Sequence, residues 1–277
     1  YTARALIRRL EPGLWRVRGS SRDPQLAPGA DHAERDGIPL YPFGREVRPP
    51  ASMWEGVTHV LVSAGPDHHG DPVLAEGGDA LRRLPDLQWV GYLSTTGVYG
   101  DHGGDWVDED TPPVPGQPRS VRRLRAEEDW LASGLPVHVF RLAGIYGPGR
   151  SAVERLLAGR ARRILAPGQV FSRIHVDDIA VVLTASIARP RPGRRYNVCD
   201  DEPAPASDVT EYAARRLGLR VPPAVPLERA DLSPMGRSFY AENRRVRNAR
   251  IKEELGVTLA YPTYREGIDA IVAGLRD

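Results

Sequence analysis

The segment Leu87-Gln-Trp-Val-Gly-Tyr-Leu-Ser-Thr95 runs on into Thr96-Gly-Val-Tyr-Gly100, so that an apolar stretch ends in hydroxyl side chains and a glycine turn. A short apolar run bounded by turn residues is typical of a buried β-strand. In a parallel sheet, ligands bind at the carboxyl ends of the strands. The pattern predicts a core strand whose end carries function, although an ordinary Thr-rich strand end would explain it equally well when it is taken alone.

Strand and helix patterns alternate on both sides of this segment. The strand patterns lie at 14–21, 57–65, 87–95 and 137–144, and the helical patterns lie at 1–10, 72–84 and 119–133. Such alternation favours parallel strands joined by right-handed helical crossovers. We therefore predict an α/β protein with a Rossmann-like, doubly wound parallel sheet.

Beyond Tyr146-Gly-Pro-Gly149 the alternation is less regular. Further strand patterns lie at 171–176 and 195–200, and helical patterns lie at 151–162, 178–188, 207–217, 246–255 and 264–275. We expect a main domain over residues 1–149 and a small, interleaved C-terminal substrate subdomain over residues 150–277. Within the latter, we expect residues 171–200 to return to the main sheet.

The start of the sequence is also informative. The helical positions Ala5, Leu6, Ile7 and Leu10 come at once, with no strand and no initiator Met before them. In doubly wound sheets a strand precedes the first helix. We therefore expect a strand of roughly five to seven residues, ending in a Gly-rich turn, ahead of Tyr1.

The composition argues against several classes of protein. The 277 residues carry 38 Lys and Arg against 36 Asp and Glu, and Lys252 is the only lysine, so the Arg excess indicates GC-rich coding rather than nucleic-acid binding. No apolar run approaches the roughly 18–20 residues needed to cross a bilayer. The single cysteine, Cys199, is ordinary for a reducing compartment. We expect a cytoplasmic protein that binds neither nucleic acid nor membranes.

Three further segments follow in order along the chain. They are Arg141-Leu-Ala-Gly-Ile-Tyr-Gly-Pro-Gly149, Ile174-His-Val-Asp-Asp-Ile-Ala180 and Tyr196-Asn-Val-Cys-Asp-Asp-Glu-Pro203. Together with Leu93-Ser-Thr-Thr-Gly-Val-Tyr-Gly100 they resemble the extended short-chain dehydrogenase/reductase superfamily, the NAD(P)-dependent epimerase/dehydratase family, over essentially the whole chain. Each segment is a weak signal, but the ordered set is specific. The resemblance implies that residues 1–149 are a dinucleotide-binding domain.

The resemblance assigns the cofactor to the first helix and the early strand ends. Tyr1 and Thr2 would face the pyrophosphate, although an exposed helix start explains Tyr1 equally well. Ser21 and Arg22 stand where such folds meet the adenosine ribose, and an arginine there accommodates a 2′-phosphate, so we expect NADP rather than NAD. A plain surface arginine is the competing interpretation. The other cofactor-binding residues that the resemblance implies are Ala64, Gly65, Pro66, Arg123, Gly144 and Ile145.

In the family, a Ser or Thr at a strand end works with a Tyr-x-x-x-Lys pair on the next helix, and the Tyr exchanges the proton. Thr95 matches the first position, and Tyr99, four residues later, is a further catalytic candidate. The helix reads Pro118-Arg-Ser-Val-Arg-Arg-Leu-Arg-Ala-Glu127, which puts Arg119 and Arg123 where Tyr and Lys are expected. An arginine cannot exchange a proton near neutral pH, although Arg123 could still donate hydrogen bonds to a ribose.

Tyr146, His175 and Tyr240 are further candidates for the missing proton donor. His175 has the most suitable unperturbed pKa, but a lone His in an apolar strand is more often a packing residue. We expect no metal, because the acidic loop at 105–110 has no His or Cys cluster beside it and is better explained as a solvated face.

These features predict an atypical short-chain dehydrogenase/reductase that acts on a sugar nucleotide or another anionic small molecule. Arg150, Arg173 and Arg237 would attract an anionic group to the cleft. The alternative is a non-catalytic dinucleotide-binding sensor or scaffold, because a fold alone does not fix a function. The helices at 72–84 and 119–133 correspond to those that pair relatives into dimers, so a monomer and a homodimer both stay open.

Overall fold

The computed structural model describes residues 1–22, 30 and 32–275. The α-helices of these residues are α1 (Thr2–Arg9), α2 (Pro72–Arg82), α3 (Pro118–Leu131), α4 (Ala152–Leu157), α5 (Val176–Ala188), α6 (Ala206–Arg216), α7 (Pro234–Ser238), α8 (Ala249–Leu255) and α9 (Tyr264–Ala273). The strands are β1 (Gly19–Ser21), β2 (Ala33–Arg35), β3 (Ile38–Pro42), β4 (His59–Val62), β5 (Trp89–Thr95), β6 (Trp106–Val107), β7 (Val137–Leu142), β8 (Gly144–Tyr146), β9 (Arg163–Leu165), β10 (Arg173–His175), β11 (Arg195–Val198), β12 (Ala224–Pro226) and β13 (Arg245–Val246).

Four strands form the main sheet, in the order β11-β7-β5-β4, and every neighbouring pair is parallel. The register of β5 on β7 pairs Val90 with Val137 and Thr95 with Leu142. Parallel neighbours need long crossover connections, and α2 and α3 provide those between β4, β5 and β7. The predicted α/β class with a parallel central sheet is confirmed.

Helices cover both faces of the main sheet. On one face α2 and α3 bury Leu81 and Trp130 against the strands. On the other face α5 and α8 bury Leu183 and Ile251 in the same cluster as Phe140 of β7. Burial of one such side chain contributes about 1.5–3 kcal/mol. The central strands therefore face apolar surroundings on both sides, which explains the nearly continuous apolar run of β5.

A smaller sheet stands beside the main one. Its order is β1-β3-β2, with β1 parallel and β2 antiparallel to β3. Within the described residues no backbone hydrogen bond joins β1 to β4. A cavity of about 990 Å³ lies between these two strands. The edges of the two sheets therefore face each other across an open space.

Two elements differ from their predicted form in this region. The strand predicted over 14–21 is reduced to 19–21. Arg18, just before it, donates to the backbone carbonyls of residues 52, 53 and 55 at 2.7 to 3.2 Å. The pattern does not predict β3, because prolines such as Pro39 argue against a strand. In the structure β3 is nevertheless the central strand of the small sheet.

The C-terminal part has an apolar cluster of its own. Helices α4, α6 and α9 bury Val153, Ala213 and Ile268 together. Helix α4 is shorter than its predicted range of 151–162, because Gly159 adopts a left-handed φ of +64° just after it. Strand β11 pairs with β7 at the edge of the main sheet. The division of the chain into two domains at residue 149 stays a prediction.

Candidate functional site

Thr95 ends β5 at the carboxyl edge of the main sheet. Its Oγ1 accepts a hydrogen bond from the Gly97 N–H at 3.1 Å and so caps the short 3₁₀ turn Thr96–Tyr99. The Oγ of Ser120 would lie 2.9 Å from a Cβ on Gly97. Thr95 and the first turn of α3 are therefore neighbours at this edge.

A buried ion pair fixes α3 on the sheet. Glu127 accepts from Arg141 of β7, with Nη2 and Oε2 2.8 Å apart, and also from the Ser94 hydroxyl of β5. Both charged side chains are at most 2% exposed. Removal of either would leave a buried, uncompensated charge, so this contact holds the helix in place. Arg123 and Arg119 lie one and two turns before Glu127 on the same helix.

Arg123 binds the ends of two strands. Its Nη1 donates to the backbone oxygens of Leu93 at 3.0 Å and Ala64 at 3.3 Å, and to the Tyr92 hydroxyl at 3.1 Å. Its Nη2 would lie 3.1 Å from a Cβ on Gly65. Burial raises the pKa of Tyr92, so this hydroxyl stays protonated at neutral pH. The guanidinium thus spans β4 and β5 and lies beside two of the predicted cofactor residues.

Arg119 has different partners. Its Nη1 donates to Ser238 Oγ at 2.8 Å and to Met235 Sδ at 3.1 Å. Its guanidinium carbon lies 4.7 Å from the ring centroid of Phe239. These three residues belong to α7 and to the position that follows it. Because an arginine stays charged at neutral pH, this part of the site is permanently positive.

Tyr99 lies in the core. Its side chain is fully buried at 0% exposure, and its hydroxyl donates to Asn197 Oδ1 at 2.8 Å. Burial raises the pKa of Tyr99 to about 12. The structure therefore does not bring this hydroxyl to a surface that a ligand can reach.

The other candidate proton donors are packed as well. The Tyr146 hydroxyl donates to a backbone carbonyl at 3.3 Å, and burial raises its pKa. His175 is 1% exposed, and its Nδ1 accepts from the Asp177 N–H at 3.2 Å, which caps α5. Burial lowers the pKa of His175 and raises that of Tyr240. In these positions the groups serve packing and capping.

The cavity between β1 and β4 brings together four predicted cofactor residues. Ser21, Arg22, Ala64 and Gly65 all line it, whereas Pro66, the next residue, does not. The rim thus offers small side chains at the end of β4 and a cationic one at the end of β1, which fits the adenosine end of a dinucleotide.

Arg45 also lines this cavity, although the sequence pattern does not single it out. Its Nε and Nη2 donate to the two carboxylate oxygens of Asp67, each at 2.8 Å. This contact holds the pKa of the Asp67 carboxyl well below its usual range. Arg45 lies three residues after the end of β3. A sequence prediction that included β3 would therefore have placed Arg45 at the carboxyl edge of the small sheet.

A second group of predicted cofactor residues lies around α1 and β8. The Tyr1 hydroxyl donates to the backbone oxygen of Pro148 at 3.0 Å, and Thr2 is buried in the first turn of α1. Ile145 packs on the cluster that joins α1 to α5, while Gly144 is exposed at the start of β8. The structure places these residues together but outside the lining of the cavity.

Residues 1–22, 30 and 32–275 contain neither a metal-binding cluster nor a membrane-spanning helix. No three or more His, Cys, Asp or Glu side chains in this part of the chain are grouped so that they could hold a metal ion. None of its helices has the length and apolar character needed to pass through a membrane.

A family model and two curated proteins match part of the chain. The model of the NAD dependent epimerase/dehydratase family matches residues 79–199. Protein YeeZ of Escherichia coli is 38% identical over 135 residues, which are 47% of each chain. A 3-diazoavenalumate denitrifying reductase of Streptomyces is 31% identical over 179 residues, 58% of each chain. The matched stretch thus spans about half the length of these curated relatives.

One solved structure is similar over nearly the full length. It is described as a functionally unknown conserved protein from Silicibacter pomeroyi, and it is 55% identical with a TM-score of 0.90. The match covers 99% of this chain and 95% of that one. The arrangement of the two sheets and the C-terminal part therefore has a counterpart in a second protein.

Proposed function

We propose that the chain is a member of the NAD-dependent epimerase/dehydratase family, whose model matches residues 79–199, and that it binds NADP(H) where β1 and β4 end, at the rim of the cavity between them. The observation that carries this proposal is the position of Ser21, Arg22, Ala64 and Gly65 on the walls of one cavity, at the carboxyl ends of two strands. We further propose that the protein transfers a hydride to a small anionic substrate.

Each cofactor contact has a candidate residue at the cavity rim. Arg22 is exposed and would hold a 2′-phosphate by charge-assisted hydrogen bonds. Arg45 is a weaker candidate, because Asp67 already occupies two of its donors. Ala64 and Gly65 would leave room for the backbone of the cofactor.

The residues at the edge of the main sheet limit the chemistry. Bound NADPH would supply a hydride. The Thr95 oxygen accepts from the Gly97 N–H, so its own proton is free to be donated to a substrate oxygen. Arg119 and Arg123 can donate hydrogen bonds but cannot exchange a proton near neutral pH. The similarity to a protein named a denitrifying reductase supports reduction over epimerisation.

Fluorescence titration with NADPH and with NADH tests the cofactor proposal. A charge-assisted contact with the 2′-phosphate is worth about 1.5–3 kcal/mol, so we expect NADPH to bind about 10- to 100-fold more tightly. Arg22→Ala should remove most of this preference, whereas Arg220→Ala, a change of an exposed arginine in the C-terminal part, should keep it. Equal affinities for the two cofactors in the parent protein would contradict the NADP assignment.

A non-catalytic dinucleotide-binding protein is the second candidate. The contacts of Arg123 favour it, because a side chain bound to three protein oxygens acts as a structural clamp. Loss of positioned acid/base catalysis costs about 10²- to 10⁴-fold in rate, so we expect at most trace NADPH oxidation with nucleotide sugars. The double change Arg119→Tyr with Arg123→Lys should raise this trace rate.

An absorbance assay at the NADPH band separates the two candidates. NADPH binding without turnover of nucleotide sugars, simple carbonyl compounds or small carboxylates would support the sensor. Turnover of a small carboxylate would support the reductase. Fast turnover of nucleotide sugars by the unmodified protein would contradict the inference that the acid/base pair is missing.

A further inference from the structure

The charge of Arg119 is poorly compensated. The two acceptors of its Nη1 are neutral, and one of them, the thioether sulfur of Met235, is a weak acceptor. Among residues 1–22, 30 and 32–275 no carboxylate lies within 4.0 Å of this guanidinium. Arg141 of β7, which is buried in the core, shows the usual arrangement, since it is paired with Glu127. Arg119 therefore keeps donors for a further anionic partner.

The surface beside this charge is apolar and exposed. Phe239 and Met235 are 54% and 59% exposed, which is high for large apolar side chains. The guanidinium of Arg119 lies 4.7 Å from the Phe239 ring centroid, so the ring supports its flat face. A guanidinium stacked in this way can direct the donors at its edge to a carboxylate. Exposed apolar groups next to such a donor set are typical of a ligand site.

Residues in and just after α7 contact both Phe171 and Arg119 of α3. Tyr240, just after α7, packs edge-on against Phe171 at 5.3 Å between ring centroids. Ser238 of α7 accepts from Arg119, and the next residue, Ser120, has its hydroxyl beside Gly97 in the turn that Thr95 caps. The residue that carries this charge is thus next in sequence to the one whose hydroxyl lies beside the turn capped by Thr95.

We propose that Arg119 binds the carboxylate of an aromatic or similarly apolar small acid, and that Phe239 and Met235 contact the apolar body of this molecule. The proposal rests on the proposed function, because it identifies the substrate class of the same site. The exposed apolar contacts favour such an acid over a sugar nucleotide, whose sugar and phosphates would leave them unused. The substrate carboxylate would accept from donors of the guanidinium other than Nη1, which already binds Ser238 and Met235.

Isothermal titration of the NADPH-saturated protein with cinnamate and with cinnamamide tests this assignment. The two probes share shape and ring but differ in charge. We expect the acid to bind about 10- to 100-fold more tightly than the amide, because the difference is a charge-assisted hydrogen-bonded contact. Arg119→Gln should bring the two affinities within about twofold of each other. Arg122→Gln, a change of an exposed arginine on the same helix, should leave the ratio unchanged.

Phe239→Ala separates the two parts of the surface. It should weaken both probes by a similar factor and preserve their ratio, since the ring contacts the shared apolar body. Equal binding of acid and amide by the parent protein, or an unchanged ratio in Arg119→Gln with a native circular dichroism spectrum, would overturn the proposal. Displacement of cinnamate by uridine diphosphate at a lower concentration than by benzoate would overturn it as well.

The NADPH titration of the same samples keeps this inference apart from the proposed function. If the parent protein binds no NADPH, the proposed function fails. If it binds NADPH but does not prefer the acid, only the role of Arg119 fails.

Discussion

The two sheets that face each other across the cavity differ in how they are stabilised. In the main sheet, Trp89, Val90 and Tyr92 of β5 are at most 1% exposed, with helices on both faces. In the small sheet the strands have three to five residues, and Tyr41 is the one strand residue among those described that is buried. The main sheet thus has a core of its own, while the small sheet has little apolar burial.

This difference suggests that the main sheet contributes most to the stability of the fold, whereas the small sheet contributes to ligand binding. Elements with few buried contacts open at low free-energy cost, and ligand-binding regions are drawn from them. The main sheet holds α3 and the arginines of the site in place, whereas the small sheet offers Ser21 and Arg22 to the cavity. We therefore expect substitutions in the main sheet to change the free energy of unfolding, and substitutions at the small sheet to change cofactor affinity.

The largest effect should come from the buried ion pair of the main sheet. Glu127→Ala leaves the Arg141 guanidinium buried without its partner, which typically costs about 3–5 kcal/mol. Urea denaturation measures the loss. The neighbouring exposed position provides the control, since Glu128→Ala should change the free energy of unfolding by less than about 0.5 kcal/mol. Similar values for the two variants would mean that the pair does not hold α3 on the sheet.

A matched pair of leucine substitutions compares the two sheets directly. Leu81, on α2, is 1% exposed, so Leu81→Ala should cost about 2–5 kcal/mol. Leu40 of β3 is only partly buried, and Leu40→Ala should cost less than about 1.5 kcal/mol because fewer contacts are lost. Chemical denaturation of both variants gives the comparison. A larger loss at Leu40 would reverse the assignment of stability to the main sheet.

Amide hydrogen exchange tests the same contrast without any substitution. Amides of β5 and β7 should exchange roughly a hundredfold more slowly than those of β1 and β3, because the small sheet opens without global unfolding. Mass spectrometry of peptic fragments resolves these strands. Equal protection of both groups would show that the two sheets unfold as one unit.

The smallest expected effect is a pH dependence of the free energy of unfolding that arises from a residue of the main sheet. His138 of β7 is fully buried, and burial lowers its pKa from 6.5 to about 4. Between these two pH values the unfolded chain binds a proton at His138 that the folded chain does not bind. The free energy of unfolding therefore decreases as the pH falls through this window, and the full stability is present above it. We expect a loss of about 1 kcal/mol between about pH 7 and about pH 5.5.

Urea denaturation at several pH values measures this dependence. His138→Gln should flatten it, since a neutral side chain then occupies the site, whereas His68→Gln, at an exposed position, should leave it unchanged. An unaltered slope in His138→Gln would assign the dependence to other groups.

Most of the main sheet can be predicted from the sequence. The observed bounds of α2, α3, β5 and β7 lie within about three residues of the predicted ones, because apolar periodicity and turn residues act within one element. The edge position of Thr95 follows from the same logic, since the carboxyl ends of parallel strands meet. Strand β3 cannot be predicted in this way, because its prolines argue against a strand. It forms because β1 and β2 pair with it on either side.

The α/β class, the strand that ends at Thr95 and the arginines of α3 can be read from the amino-acid sequence alone, since each depends on a local pattern. The contacts that those arginines make depend instead on the packing of distant elements. Arg123 meets strand ends 30 and 59 residues away, and Arg119 meets α7 at separations of 116 and 119 residues. Contacts over such distances depend on how whole elements pack, so two identical side chains one helical turn apart become a clamp between strands and a half-buried, poorly compensated charge.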